Sequence, residues 1–372
     1  MKMTSFRPGS RARARLTPIL ILTALAALPI APAAFADIGY DFVTVSFGFS
    51  GNADDVGDIG GVEYTYSIGE YDVTLNQYVT FLNAVAQTDP YSLYNPSLAT
   101  DLNVAGIKRK GASGHYTYAV IGSGSRPVTY VSWFDAARFC NWLQNGQPAG
   151  LGEVAASTEQ GAYTLNGANS GIILKNANAV YWIPSGSEWY KAAYYHPQIG
   201  TVYSFVPAGY YQYATQANAS EVPGNYLPAK NKAGTENANY YNGLYSVTQS
   251  SVYSSSQNFL TDVGAFKNSP SYYGTYDQNG DVSQWNDEVF NGNPQTRGAW
   301  GGSWSGGSSA MYSYFTTANS ADPRTGNSTL GFRVASSGAT SAPAAAVSVG
   351  TQVIKARTTV PAHPSAPARG KR

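Results

Sequence analysis

The chain has 372 residues but only one cysteine, Cys140, three histidines and 12% charged residues. A single cysteine excludes an internal disulfide framework, so the fold must be stabilised by its core, by bound ions or by both. Hydrophobic residues make up 43% of the chain, which is enough to bury a sizeable core. With 39 glycines and 29 tyrosines, this composition is typical of a loop-rich globular protein.

The few charges are unevenly distributed. Residues 1–36 and 337–372 each contain five Lys or Arg residues and no acid. The remaining 300 residues, 37–336, therefore have 13 basic and 22 acidic residues and a formal charge of −9. Such a body argues against nucleic acid as a partner, because binding to a phosphate backbone depends on basic side chains.

The N-terminal segment has the order of a secretory signal. Four arginines between positions 7 and 15 precede the apolar run "LTPILILTALAALPIAPA", which is followed by "AFA" and Asp37. The alternative is a membrane anchor, but the run is short and contains three prolines. We therefore expect cleavage of residues 1–36, no membrane span in the mature chain, and a secreted or periplasmic (cell-envelope) location.

Residues 37–336 are predicted to form one α+β domain. Alternating residues predict two or three strands before residue 74. Helical periodicity predicts three helices: "TLNQYVTFLNAVAQ" with Thr74 as N-cap, "SWFDAARFCNWLQ" capped by Ser132 or Asp135, and "SGSEWYKAAYY" with a Ser185–Glu188 capping box. After residue 200 we expect short strands in long loops, and residues 337–372 have the composition of a disordered tail.

Five segments, taken in order over about residues 62–335, resemble the formylglycine-generating enzyme, or sulfatase-modifying factor, family. They are "YSIGEYDVTLNQYVTFLN", "RPVTYVSWFDAARFCNWL", "YWIPSGSEWYKAAYY", "VGAFKNSPSYYGTYDQNGDVSQW" and "RGAWGGSW" with "LGFRVA". The resemblance implies a C-type-lectin-like fold, in a single domain rich in irregular loops. Its Gly-Trp pairs would then have at least a structural role, with each indole filling a gap between closely packed loops.

The resemblance also implies where copper would bind. Family members that oxidise a substrate cysteine hold Cu(I) on two cysteines of the last segment, and soft thiolates suit that ion. At these positions the chain has Gly306 and Met311. We therefore expect no copper, and we expect Cys140, on the apolar face of the middle predicted helix, to pack in the core.

A second branch of the family, the sulfoxide synthases of thiol-histidine biosynthesis, uses iron held by histidines. The histidines here are His115, His196 and His363, and no two have the spacing of a ligand pair. We therefore expect no iron, and His196 is interpreted as a C-cap of the third predicted helix.

For calcium, the resemblance implies a structural site in "DQNGDVSQW". The matching ligand positions are Asp277, Gly280 and Val282 through their backbone carbonyls, and Gln284, with Asp281 beside them. Oxygen ligands on a glycine turn suit a hard cation. The family usually has a neutral or amide residue where this chain has an aspartate, and a glutamate at Gln284.

A second family calcium site would begin at Asn239 and the carbonyl of Tyr240. Its acidic partner falls in "YSSSQNF", which contains no acid. For both sites the alternative is an Asx-rich loop held by its own hydrogen bonds.

Two functions remain open. One is an exported, non-catalytic recognition or structural module, whose tyrosines suit a protein or carbohydrate ligand, although they equally suit a core. The other is a protein-modifying enzyme with an altered active site. Ser305, Ser308 and Ser309 lie in the last segment, but no histidine is near them in sequence to act as a base.

Overall fold

A computed structural model of the chain describes residues 34–35, 38–46, 59–197, 209–217, 222–226 and 236–338. All of them fall in one compact unit. Residues 1–33 of the predicted signal peptide, and the predicted tail beyond residue 338, lie outside the described residues.

Short helices make up the α part of the fold. They are α1 (Leu75–Val85), α2 (Ser97–Thr100), α3 (Trp133–Gln144), α4 (Gly186–Tyr194) and α5 (Ser313–Thr316). A π-helical turn covers Ala155–Glu159, and 3-10 turns cover Phe290–Gly292 and Ser308–Met311. No helix in the described ranges is long and apolar enough to cross a membrane.

The strands are equally short. In chain order they are β1 (Ala34–Phe35), β2 (Phe42–Val45), β3 (Tyr66–Gly69), β4 (Ile107–Lys110), β5 (Thr117–Val120), β6 (Pro148–Ala149), β7 (Tyr181–Trp182), β8 (Ser283–Val289), β9 (Arg297–Trp300), β10 (Ser320–Ala321), β11 (Leu330–Gly331) and β12 (Ala335–Ser336).

Two four-stranded sheets contain most of these strands. One has the order β2-β3-β12-β7 and is antiparallel throughout. The other has the order β10-β9-β8-β11, in which β11 runs parallel to β8. The pairs β1-β6 and β4-β5 form two-stranded ribbons. Short helices with short strands and long irregular connections are the mixed α+β architecture predicted from the sequence.

The helix starts follow the predicted capping chemistry. Thr74 caps α1, Ser132 caps α3 and Ser185 caps α4, and each accepts a hydrogen bond from the backbone N–H three residues later. In each case the side chain of that third residue accepts from the N–H of the cap, which completes a capping box. The C-cap of α4 is Tyr195, so the interpretation of His196 as the cap was wrong by one residue. His196 is buried and its ring lies 4.1 Å from that of Tyr211.

Helices α1 and α3 pack against each other and against the segment between β11 and β12 through an aromatic core. Phe139 of α3 meets Phe81 of α1 edge-on at 5.3 Å and Phe332 at the same distance. Cys140, in the next position of α3, is fully buried, and burial raises the pKa of its thiol well above the usual range. The prediction that this cysteine packs in the core is confirmed. Its thiol is not accessible to solvent.

Candidate functional site

The two tryptophans around the last glycine cluster are structural. Trp304 stacks on Phe259, with ring centroids 4.9 Å apart, and its indole N–H donates to the carbonyl of Ser328 at 3.1 Å. Trp300 meets Trp189 edge-on at 5.9 Å and donates to the carbonyl of Asn319. Both indoles are buried with their N–H groups paired.

The glycines between them allow the backbone to pass closely. Gly301 has φ +102°, and a Cβ on it would lie 2.6 Å from the carbonyl oxygen of Gln278. A non-glycine residue would therefore be strained there and would clash with backbone. The segment fixes the distance between strand β9 and the loop 277–282, which precedes strand β8.

The loop 277–282 coils tightly. Asp277 (φ +59°), Gly280 (φ +80°) and Asp281 (φ +57°) all have left-handed backbone conformations, which aspartate tolerates better than most residues. The backbone N–H of Asp281 donates to the carbonyl of Asn239 at 2.7 Å. The two segments with predicted calcium ligands are therefore neighbours, a closeness that the sequence did not predict.

The side-chain amide of Gln284 is held from three sides. Its Oε1 accepts hydrogen bonds from Trp189 Nε1 and from Arg333 Nε, both at 2.7 Å. Its Nε2 donates to the backbone carbonyl of Asp277 at 2.8 Å. An indole and a guanidinium can only donate, so they fix which end of the amide is oxygen. Gln284 is fully buried.

This arrangement does not fit a calcium ion. Calcium needs the side-chain oxygen of residue 284 to face the carbonyl of Asp277, since both would be ligands. Here an N–H faces that carbonyl, while the oxygen is turned toward two donors. The hydrogen bonds of Gln284 thus favour the alternative of a loop held by its own bonds, and calcium binding at Asp277, Gly280, Val282 and Gln284 stays a prediction for titration to decide.

The side-chain nitrogen of Asn239 is also engaged within the protein. Its Nδ2 donates to Asp281 Oδ1 and to the carbonyl of Phe259, both at 2.8 Å. The Asp281 carboxylate also accepts from the backbone N–H and the hydroxyl of Thr261, at 3.2 and 3.0 Å. Asp281 therefore links the two segments through hydrogen bonds to neutral donors.

Burial changes the titration of the two loop aspartates. It raises the pKa of Asp281 to about 8, with the nearby Asp277 carboxylate adding to the rise. Burial also raises the pKa of Asp277 to about 6, although a hydrogen bond from the Gly264 N–H and the charge of Arg333 oppose it. No cluster of three metal-ligating side chains is present in the described ranges. The loop thus contains one buried acid, Asp281, that favours a proton at neutral pH, and a second, Asp277, that is mostly ionised there.

A cleft of about 620 Å³ opens elsewhere, between the segments 88–96 and 324–326, the N-terminal end of α3 and the β4-β5 ribbon. Its volume falls in the range of about 300–1,000 Å³ typical of small-molecule sites. The aromatic side chains that line it are Tyr91, Tyr94, Tyr116, Tyr130 and Phe134. The cleft is therefore a candidate ligand site.

Arginines are fixed in the walls of this cleft. The guanidinium of Arg109 lies between the rings of Tyr94 and Tyr116, at 4.8 and 4.2 Å, and pairs with Asp89 at 3.1 Å. Arg138 lies 4.2 Å from the ring of Tyr91. These contacts restrain the rings in the positions in which they face the cleft.

Comparison with known proteins matches residues 62–337 to the family described as the sulfatase-modifying factor enzyme 1-like domain. The chain belongs to this family. The resemblance drawn from the five sequence segments is therefore confirmed, as is the C-type-lectin-like α+β fold that it implied. Among curated proteins no match is found.

Comparison with solved structures finds neighbours of low identity. The crystal structure of CarF is 20% identical with a TM-score of 0.45, over 80% of this chain and 98% of that one. Treponema denticola variable protein 1 is 18% identical with a TM-score of 0.43, over 84% and 100%. PvdO from Pseudomonas aeruginosa is 18% identical with a TM-score of 0.35, over 80% and 92%.

Within this sulfatase-modifying factor domain, the two predicted copper positions cannot supply a soft site. Gly306 has no side chain, and its carbonyl accepts from the N–H of Tyr241 at 2.9 Å. Met311 is fully buried in an apolar cluster with Tyr213, Ala217, Ala238 and Tyr240. Its thioether therefore packs in the interior, and one thioether is a poor substitute for two thiolates.

In the part of the chain that the structure describes, the groove beside that segment also lacks acid–base groups. A groove of about 210 Å³ beside Gly302 and Ser303 is lined by small or neutral residues and by no titratable side chain. Ser305 and Ser309 are exposed, whereas the described histidines lie in other elements, His115 between β4 and β5 and His196 after α4. A serine nucleophile has no evident base here.

Sequence reasoning missed the cleft. Its residues come from segments that are far apart in the chain, and Arg109 and Tyr116 belong to a tyrosine- and glycine-rich stretch that matches no motif. The one available signal was the density of tyrosines between residues 91 and 130, which fits a core as well as a ligand site.

Proposed function

We propose that this chain is an exported recognition module, which keeps the sulfatase-modifying factor scaffold, lacks its copper chemistry and binds a protein or carbohydrate ligand. The observation that carries the proposal is the state of the two copper positions. Gly306 offers only backbone and Met311 is packed inside an apolar cluster. A fold that keeps its caps, sheets and aromatic core without that site is suited to binding.

The cleft supports a binding role. Its rings are held by arginine contacts before any ligand arrives, and preorganised side chains lose little conformational entropy on binding. The alternative is a protein-modifying enzyme with an altered site. It would need a nucleophile activated by a general base, and the groove beside Gly302 is lined by hydroxyl groups but by no titratable side chain that could act as the base.

The decisive experiment incubates the purified mature protein with a Cys-x-Pro-x-Arg peptide, copper, a reducing agent and oxygen. A copper-dependent member of the family serves as the positive control. We expect the peptide mass to stay unchanged with this protein and to show conversion of the thiol with the control. Conversion above the rate of a protein-free sample would overturn the proposal and support the enzyme alternative.

A further inference from the structure

We propose that the cleft between segment 88–96 and the N-terminal end of α3 binds a neutral oligosaccharide. The inference rests on the proposed recognition function and adds the chemical class of the ligand. It depends on three properties of the cleft, namely its charge balance, its free polar groups and its side-chain composition.

The positive charges of the cleft are already compensated. Three arginines line it, and each has a carboxylate partner: Arg109 pairs with Asp89, Arg138 with Glu159 and Arg324 with Asp322. The Arg138 pair is bidentate, at 2.7 and 3.1 Å, and nearly fully buried. An anionic ligand would have to compete with these carboxylates, so the cleft favours an uncharged one.

Neutral polar groups are available instead. The side chains of Thr88, Ser92 and Asn169 line the cleft and form no hydrogen bond within the part of the chain that the structure describes. Hydroxyls and amides can both donate and accept, which suits a ligand rich in hydroxyl groups. Arg109, whose side chain is 28% exposed and pairs with Asp89 at 3.1 Å, adds a donor at the wall.

Aromatic rings supply the apolar contact. Tyr91, Tyr116 and Tyr130 are partly exposed in the cleft, and Tyr130 is anchored by its hydroxyl, which donates to Asp101 at 2.6 Å. The apolar face of a pyranose ring packs on such faces, while its hydroxyls bond to the surrounding polar groups. The lining contains no leucine, isoleucine, valine or methionine, so it lacks the aliphatic pockets that hold the side chains of a peptide.

The test is calorimetric titration of the full mature chain with hexasaccharides of glucose, mannose, xylose and N-acetylglucosamine. A heparin fragment and an uncharged decapeptide are titrated in parallel. We expect one-to-one binding of at least one neutral hexasaccharide and no binding of the other two probes. Tyr116→Ala should weaken that binding about tenfold, as the loss of an aromatic contact predicts.

Asn169→Ala is the second variant, because an exposed residue can be changed without disturbing the fold. It should also weaken binding severalfold, whereas Tyr226→Ala, an exposed tyrosine outside the cleft, should leave binding unchanged. Failure of every hexasaccharide to bind at millimolar concentration, or binding insensitive to both cleft variants, would overturn the inference. So would binding of heparin or of the peptide in the cleft.

These results are separable from those on the proposed function. Thiol oxidation of the peptide substrate would overturn the recognition role without affecting a saccharide isotherm. Absence of saccharide binding, with no oxidation either, would remove the oligosaccharide inference and leave a recognition module for another ligand.

Discussion

The side-chain amide of Gln284 donates a hydrogen bond to the backbone carbonyl of Asp277 across 2.8 Å. Two oxygens could not face each other at that distance without a cation or a proton between them, because both would be acceptors. The amide N–H supplies that link within the protein. The glutamine therefore links residue 284 to this loop by a direct hydrogen bond, whereas a glutamate would need a bound ion or a proton between the two oxygens.

The first prediction concerns calcium. We expect the melting temperature of the wild-type protein to be the same in chelator and in excess calcium. Gln284→Glu should lower the free energy of unfolding in chelator by about 1–3 kcal/mol, because an acceptor then faces the Asp277 carbonyl. Added calcium should restore much of that loss, since an ion that binds only the native state stabilises it. Thermal unfolding with and without calcium measures both effects.

Gln295→Glu, at an exposed position, makes the same chemical change as a control and should not respond to calcium. A rise in the wild-type melting temperature with calcium would show that the ion displaces the hydrogen bonds of Gln284. The calcium site expected from the sequence would then be established.

The second prediction compares two glycines with similar φ angles. Gly280 has φ +80°, and a Cβ there would lie 2.3 Å from the carbonyl oxygen of Asn239. Gly114 has φ +93° with open space around it. Gly280→Ala should cost about 3 kcal/mol or more, from strain and overpacking, while Gly114→Ala should cost about 1 kcal/mol from strain alone. Equal losses in denaturant titrations would contradict the close approach of loop 277–282 to Asn239.

Local chemistry explains why the helices were predictable. Thr74, Ser132 and Ser185 cap helices through partners three residues away, so the complete signal lies within one turn of sequence. The family resemblance likewise depended on segments read one at a time. The α+β fold and the starts of α1, α3 and α4 could therefore be predicted without the structure, whereas the single-turn helices α2 and α5 were not predicted.

The candidate sites depended on contacts between distant segments. The side chain of Gln284 forms hydrogen bonds with Trp189, Arg333 and Asp277, which are far from it in sequence or on the other side of the loop. No local sequence pattern indicates that an indole and a guanidinium donate to its oxygen. For the same reason the sequence could suggest a calcium ligand but could not predict its hydrogen bonds. The cleft around Arg109 likewise needed the tertiary fold to be found.

The third prediction concerns the start of the mature chain. The arginine-rich start, the apolar run and "AFA" predict that the exported protein begins at Asp37, within a residue or two. N-terminal sequencing of protein recovered from the medium or the cell envelope measures this. Recovery there of the chain with Met1 intact would contradict signal cleavage and favour the membrane-anchor interpretation.

The fourth prediction is a pH dependence of stability that arises at Asp281. Its pKa is about 8 in the folded protein, against about 4 in an unfolded chain, because burial and Asp277 favour the protonated form. Between these values the folded state keeps a proton that the unfolded state releases. Stability linked to Asp281 is therefore fully present below about pH 4 and is lost as the pH rises toward 8.

Asp281→Asn should remove this dependence, because an asparagine keeps the geometry of the protonated acid. Its oxygen can accept from Asn239 and from the N–H of Thr261, and its NH₂ can donate to the Thr261 hydroxyl. Thermal unfolding in chelator from pH 5 to 8.5 should show a variant several degrees more stable than wild type at pH 8, with the difference in melting temperature narrowing toward pH 5.

Asp322→Asn is the matched control. The hydrogen bond from Arg324 lowers the pKa of Asp322, so it titrates below this range and its variant should follow the wild-type slope. A constant gap between Asp281→Asn and wild type across the pH range would show that Asp281 is ionised in the folded protein, and that its hydrogen bonds hold a carboxylate.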